Sequence, residues 1–490
     1  MDFDRRPPML RTMIVAILLQ GWFVSAVAAA EPITRRNAQA ALHKAVNFFR
    51  KTVSAEGGYL WRYSHDLKRR EGEGKAGPGM TWVQPPGTPT VGEGLLDAWL
   101  TCGDRVLRDA AVHAGHHLVR GQLRSGGWDY RIETDPARRR NYAYRIDGNP
   151  EGRNRTTLDD NTTQSALRFL MHLDRGLDYK DQSIHSAVEY ALDALIKAQF
   201  PNGAWSQRYE SFPDPKKFPV RKASYQKTWS RTFPQKRYYT FYTFNDNSIA
   251  DVVRTMIEAR EIYGRKKYQA AAEKAGDFIL SAQMPDPQPA WAQQYDLDMH
   301  PAWARKFEPP SVTGGESQGV MRTLIFLYQK TGRKDFLNAV LPALNYLKTS
   351  EISKGKLARF YELKTNRPLY FTMKYQLVYT DDDLPTHYGF QVNSKLDSIE
   401  AAWRRARRDG QLEPVDASAA PRRKRPKLTA GVTKRAQQAV DSMDARGAWV
   451  ELDQLRYQGD GTRDKKVPVI STLVFVRHIG SLAAYIAASE

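Results

Sequence analysis

A chain of 490 residues with 41% hydrophobic and 11% aromatic side chains can bury a large core, which excludes an intrinsically disordered protein. Its 74 Lys and Arg against 54 Asp and Glu give a formal charge of +20 and point to a polyanionic partner. The single cysteine, Cys102, excludes internal disulfides as a source of stability, so the fold must rest on its core.

Arg5, Arg6 and Arg11 precede an apolar run from Met13 to Val27 that ends in Ala28-Ala29-Ala30. This is the pattern of a secretory signal peptide over residues 1–30, which predicts a secreted or periplasmic protein. The segment also carries Asp2 and Asp4, so the formal charge without it is still +19. Outside the cytoplasm an acidic polysaccharide is a better partner for that charge than nucleic acid. No later stretch approaches the roughly 20 apolar residues of a spanning helix. The mature chain, 31–490, is expected to be one domain, monomeric and free of membrane.

Apolar residues recur at helical period over 36–53, then in pairs of segments: 90–101 with 105–121, 160–174 with 184–199, 247–262 with 266–283, and 316–330 with 333–348. A helix over 470–488 closes the set. Between the pairs runs a repeat of Gln, a turn and Gly-x-Trp. Its clearest copies are Gln122–Tyr130 (QLRSGGWDY) and Gln199–Tyr209 (QFPNGAWSQRY), with a degenerate copy at Gln283–Tyr295. Marked by Trp61, Trp128, Trp205, Trp291, Tyr361 and Trp449, the repeat defines six units. An all-α fold follows, an α/α toroid of about six helical hairpins, closed or nearly closed, with short β-like loops at one end.

Residues 64–89 and 210–240 fall outside the pattern as long insertions, which are usually functional when ordered. A basic stretch at 404–434, with Arg404-Arg405-Ala406-Arg407-Arg408 and Pro421-Arg422-Arg423-Lys424-Arg425, reads as a mobile insertion.

The segment Arg155-Thr156-Thr157-Leu158-Asp159-Asp160-Asn161-Thr162 places two adjacent carboxylates at the start of a helix in a basic chain. They suit a helix cap, and they also suit a cation or catalytic site. Thr243-Phe244-Asn245-Asp246-Asn247-Ser248 repeats the theme. Carboxylates with amide neighbours and no His or Cys fit a hard cation such as Ca2+, which takes six to eight oxygens. If the turns share one face, Arg305, Arg359 and Arg367 join these carboxylates, and arginines supply forks for a substrate carboxylate. Such a cleft would neutralise a uronate and acidify its ring proton, the requirement of β-elimination.

Thr156–Asn161, Gly203–Tyr209, Thr243–Asp246, Trp303–Ser317, and Arg359–Glu362 with Thr365–Pro368 together resemble the pectate lyases of polysaccharide lyase family 10, in order over about residues 40–400. The resemblance implies an α/α toroid that cleaves polygalacturonate by anti β-elimination with Ca2+ and an arginine base. It implies Arg305 as proton abstractor, Asp159 or Asp160 with Asp246 around the calcium, and Arg359 or Arg367 on uronate. Arg208, Trp205 and Tyr361, within the same motifs, are further substrate-binding candidates. The Trp205-to-Asp246 segment is longer than the family's usual link. An arginine, with a pKa above about 12, must also lose a proton before it can act as a base.

Two other readings compete. The Gly-x-Trp turns and Asp159-Asp160-Asn161-Thr162 also resemble a terpene-cyclase-like α/α barrel, and the charge alone allows a non-catalytic protein that binds acidic polysaccharide. Gly315-Glu316-Ser317-Gln318-Gly319 matches a nucleophile elbow only as a string, since no strand-turn-helix series of a sheet protein precedes it.

Overall fold

The computed structural model describes residues 32–235, 238–413, 424–459, 461 and 463–490. Residues 1–30, expected to form a signal peptide, and the centre of the 404–434 stretch lie outside the described residues. Twelve helices have ten residues or more among those described: α1 Arg35–Phe48, α2 Thr88–Cys102, α3 Arg105–Arg120, α4 Thr162–Gly176, α5 Gln182–Ala198, α6 Ser248–Tyr263, α7 Lys266–Ser281, α8 Glu316–Thr331, α9 Val340–Thr349, α10 Leu396–Asp409, α11 Ala430–Asp441 and α12 Thr472–Ala488. Their sequences carry the signals that stop and start them. The Asp104 and Asp181 carboxylates accept the orphan amides at the starts of α3 and α5, while Gly103, Gly264 and Gly332, all left-handed, end α2, α6 and α8.

Helices α12, α2, α4, α6, α8 and α10 pack in succession as an inner ring, and the helix that follows each of α2, α4, α6 and α8 packs back against it. The first helix packs on α11, α12 and α3 and so ties the C-terminal helices to the start of the ring. There the Tyr485 hydroxyl donates to the Ile33 carbonyl (2.8 Å). This is the α/α toroid of helical hairpins expected from the repeat, with one continuous core running round it.

The repeat itself is a joint. Four tryptophan indoles donate to a carbonyl near the end of the preceding outer helix, Trp128 to Leu118, Trp205 to Leu195, Trp291 to Ile279 and Trp449 to Ala439 at 2.8 Å each, whereas that of Trp61 donates to the Gln84 carbonyl (2.9 Å). Each glutamine amide bridges its own turn to the next unit, Gln122 to Ala187, Gln199 to Ala271 and Gln283 to Ala339 (2.8–2.9 Å). The glycine before the tryptophan is left-handed and pressed on the next outer helix. A Cβ on Gly203 (φ +96°) would lie 1.9 Å from the Lys274 carbonyl oxygen, and one on Gly447 (φ +99°) 2.8 Å from that of Lys44. Because Lys44 belongs to α1, the contact that joins neighbouring units also joins the last unit to the first.

Short antiparallel ladders stand at one end of the ring. Thr156–Thr157, ahead of α4, pairs with Arg208–Tyr209 after α5, and Tyr242–Thr243, ahead of α6, pairs with Gln294–Tyr295 after α7. Met80–Trp82 with Arg131–Glu133, and Val312–Thr313 with Phe360–Tyr361, repeat the arrangement. A second, smaller core of Trp303, Phe307, Phe360, Leu369, Phe371 and Phe390 lies under the strands that follow α9. The basic stretch is corrected at its ends: Arg404–Asp409 is the last part of α10 and 430–434 the first turn of α11, because Ile399, Ala406, Val432 and Ala436 give both segments a buried helical face. Among the described residues no helix is long and apolar enough to cross a membrane.

Candidate active site

The two Asp-Asn turns are the same structure twice. Asp160 and Asp246 both take φ 48°, ψ 35°, and Asn161 and Asn247 both take φ 58°, so each turn puts two non-glycine residues in succession into the left-handed region just before an inner helix. Such residues cost on the order of 1–3 kcal/mol each and persist where the surroundings impose them. Asp and Asn tolerate the region best, which is why these residue types recur here. Consecutive units carry the turns side by side. One oxygen from each of Asp159, Asp160 and Asp246 lies within 4.8 Å of the others.

Fixed donors hold the two flanking positions. The Gln207 amide donates to Asp159 Oδ1 (2.7 Å), the Tyr130 hydroxyl to Asp159 Oδ2 (2.5 Å) and the Gln84 amide to Asp160 Oδ2 (2.8 Å). Gln293, two residues after Trp291 as Gln207 is after Trp205, donates to the Asn245 side-chain oxygen (3.1 Å). Arg208 stands 3.5 Å from Asp159 Oδ2 and donates to the Tyr130 hydroxyl at 3.1 Å.

Burial, then the negative charge of Asp159, pushes Asp160 up to about 6. Burial, then Asp159 and Asp160, pushes Asp246 up to about 7, although its carboxylate opens onto the groove. The positive charge of Arg305 pulls both values back and so reaches both turns. Three clustered carboxylates, of which Asp160 and Asp246 resist ionisation, with side-chain amides around them and no sulfur or imidazole, fit a hard divalent cation bound through oxygen.

Arg305 is set by Glu308. The buried Glu308 carboxylate accepts from the Arg305 backbone N and Nε (2.9 Å each) and Nη2 (2.6 Å), and from the Tyr388 hydroxyl (2.9 Å). Arg305 Nη1 has no hydrogen-bond partner among the described residues and is the nitrogen left for a ligand. Burial alone would lower the Arg305 guanidinium; the bond to Glu308 outweighs it and raises the group well above its ordinary value. Glu308, opposed by its own burial, is held low by the same pair.

Asp246 also lines a cavity of about 520 Å³ with Glu316, Arg322, Arg359 and Lys395. Arg359 lies 3.3 Å from Glu316 and over the Tyr388 ring. Burial raises Glu316, whose second oxygen has no partner. Another cavity, about 720 Å³, lies between Arg50, Trp99, His113 and Asp178 and shares no residue with the carboxylates.

Three of the sequence candidates stand elsewhere. Trp205 is fully buried in its joint, and Tyr361 is buried with its hydroxyl donating to the Ser350 carbonyl (2.6 Å), the same task performed by a different ring. Neither can touch a polymer, and both are corrected to architecture. Arg367 stacks 3.5 Å over the Tyr379 ring, beside the Arg231–Glu362 pair, and no described contact links it to the carboxylates. The sequence reading missed Glu308, Tyr130, Gln84, Gln207 and Glu316. For Gln207 a signal existed, since Trp-x-Gln occurs in the second clear copy of the repeat and again in the degenerate one.

At the laddered end of the α/α toroid, clustered carboxylates thus stand among arginines, an arrangement suited to binding ions and charged ligands. Residues 122–357 match the family model described as pectic acid lyase, so the resemblance read from the motifs is shown over the stretch that carries Asp159, Asp160, Asp246 and Arg305. The match supports a lyase acting on polysaccharide. No curated protein matches the chain. Among solved structures, a mutant family 10 polysaccharide lyase from Cellvibrio cellulosa in complex with trigalacturonic acid is similar at 20% identity, over 66% of this chain and 97% of that one, with a TM-score of 0.43. A family 10 polysaccharide lyase from the same organism is similar at 20% identity, over 60% and 90%, also at 0.43. A D-mannose isomerase is similar at 14% identity, over 93% and 97%, at 0.43. The Gly-x-Trp turns that suggested a terpene cyclase are accounted for as joints.

Proposed function

We infer that the protein is an exported pectate lyase that cleaves polygalacturonate by calcium-assisted anti β-elimination, acting as a monomer. The observation that carries this reading is the convergence of Asp159, Asp160 and Asp246 on Arg305 within the segment that matches the pectic acid lyases. In this reaction the C5 proton of a uronate leaves. The electrons of that C–H bond form the C4–C5 double bond, the C4–O bond breaks, and the departing oxygen takes a proton from solvent.

Asp159, Asp160 and Asp246 would hold Ca2+, which supplies charge neutralisation at the uronate carboxylate and so makes the C5 proton more acidic. Arg208, beside Asp159, and Arg359, which lines a cavity with Asp246, bind neighbouring uronates as charged forks. Glu308 orients Arg305 so that Nη1 faces the substrate. Arg305 takes the C5 proton there after releasing one of its own to solvent, which demands alkaline conditions because Glu308 favours the protonated form.

That same preference supports a second reading, a protein that binds pectate through a permanently charged Arg305 and does not cleave it. Incubation with polygalacturonate and calcium at alkaline pH separates the two. Rising ultraviolet absorbance from the new double bond, abolished by chelator and by Arg305→Ala, is the expected result; tight binding with no unsaturated product supports the second reading and contradicts the first.

A further inference from the structure

The link between the ladder strand at Arg208–Tyr209 and the next strand at Tyr242–Thr243 is twice as long as its counterpart one unit later, residues 296–311. With α5 and the ladder behind it, that link encloses a cavity of about 560 Å³, large enough for a substituted sugar. The cavity has two kinds of wall. Phe200, Phe212, Phe218, Phe241 and Leu297 make one, with Phe200 and Phe218 packed edge to face at 4.9 Å. Phe212 and Leu297 keep 44% and 39% of their surface exposed, a cost in water that an apolar ligand would remove.

Arg155 and Arg208 make the other wall, on either side of the Tyr239 ring at 5.3 and 5.8 Å. Glu210 accepts from Arg155 Nε at 2.6 Å. Arg208 Nε is buried without a partner. Because Arg208 also reaches Asp159, the cavity opens directly beside the carboxylate cluster.

We propose that this cavity is a subsite for a uronate that keeps its free carboxylate and carries an acyl ester on a ring hydroxyl. The carboxylate meets Arg155 and Arg208, and the acyl group lies among Phe212, Phe218 and Leu297. A methyl-esterified uronate fits less well, since it brings an apolar group but no carboxylate for the donors of Arg155 and Arg208 that Glu210 and Asp159 leave open. An unsubstituted uronate satisfies the arginines and leaves the aromatic wall in water. The assignment rests on the pectate-cleaving reading and adds the substitution pattern the enzyme accepts.

Calorimetric titration with three oligogalacturonides of equal length, unsubstituted, O-acetylated and methyl-esterified, tests it, alongside lyase rates on the corresponding polymers. The acetylated ligand is expected to bind up to about tenfold more tightly than the unsubstituted one, and the methyl-esterified one about tenfold more weakly. Phe212→Ala with Leu297→Ser, both on the exposed lip, should erase the acetyl preference while binding of the unsubstituted ligand stays within about twofold. Weaker binding of the acetylated ligand than of the unsubstituted one, or an acetyl preference that survives the double variant, overturns the proposal. If no polymer yields unsaturated product, the lyase reading fails, and the order of the three affinities still decides the subsite.

Discussion

Two turns recur in this chain, and they behave in opposite ways. The Gly-x-Trp turns are buried, their indoles and neighbouring amides are satisfied by backbone, and each ties one helical hairpin to the next. The Asp-Asn turns hold non-glycine residues in left-handed backbone and crowd negative charge that nothing in the chain neutralises fully. Repetition alone therefore does not mark function. A repeated motif whose partners are all internal is a joint; one that keeps strain and uncompensated charge is a site.

The sharpest break of that comparison is at the groove. Arg305→Ala should lower kcat on polygalacturonate by roughly 10²–10⁴-fold, the usual contribution of a positioned base, and because it leaves the buried Glu308 carboxylate without its partner it should also lower the thermal midpoint, so the rate is compared below that midpoint. In the wild type the logarithm of kcat/KM should rise by about one per pH unit through the alkaline range, because each step releases a tenfold larger neutral fraction of a guanidinium whose proton affinity is raised. A flat profile would leave Arg305 as a cation that stabilises charge.

At the joint the expectation is reversed. Trp205→Ala should destabilise the fold by about 3–5 kcal/mol in urea unfolding, since it empties a fully buried ring site and orphans the Leu195 carbonyl. The folded protein that remains should keep its KM, which a substrate-binding tryptophan would not.

The ring itself limits the alkaline range. His172, on α4, is bonded to Glu93 on α2 (2.8 Å) and Glu258 on α6 (2.6 Å); burial opposes its charge, but the two carboxylates prevail and raise it to about 10. A base raised above its unfolded value near 6.5 stabilises fully below that pH and loses the contribution as pH rises through 10. The thermal midpoint should therefore fall between pH 7 and 10.5, and His172→Gln should flatten the fall.

The smallest effect lies in the Asp-Asn turns. Asp160 and Asp246 are acids raised above their ordinary value, so the folded state binds more protons than the unfolded one between about pH 4 and 7, and stability falls as pH rises through that window. Asp246→Asn should raise the urea midpoint at pH 8 without calcium. Added calcium should stabilise the wild type and leave the variant unmoved.

The ring was legible because helical period and Gly-x-Trp spacing are local signals, and the tie from Gly447 to Lys44 follows the rule of the other joints. Asp159, Asp160, Asp246 and Arg305 were legible because each sits in a short motif. Glu308 was hidden because a buried carboxylate three residues from an arginine looks like any surface pair until its surroundings are known. Gln84 and Tyr130 reach the turns from other units, with no local pattern to expose them. Trp205 and Tyr361 misled because aromatic residues near a polysaccharide motif suggest stacking, and burial shows the joint instead. The start of the basic stretch misled because its arginines mask the buried face of α10.

Calcium titration at two pH values, in buffers of different ionisation heat, tests most directly that the two strained turns form one cation site. At pH 6 calcium should bind and release between one and two protons, because Asp246 is then largely and Asp160 about half protonated; at pH 8.5 it should bind more tightly and release almost none. Asp246→Asn should abolish the binding at both. No calcium binding by the wild type, or binding that survives Asp246→Asn unchanged, would contradict the account.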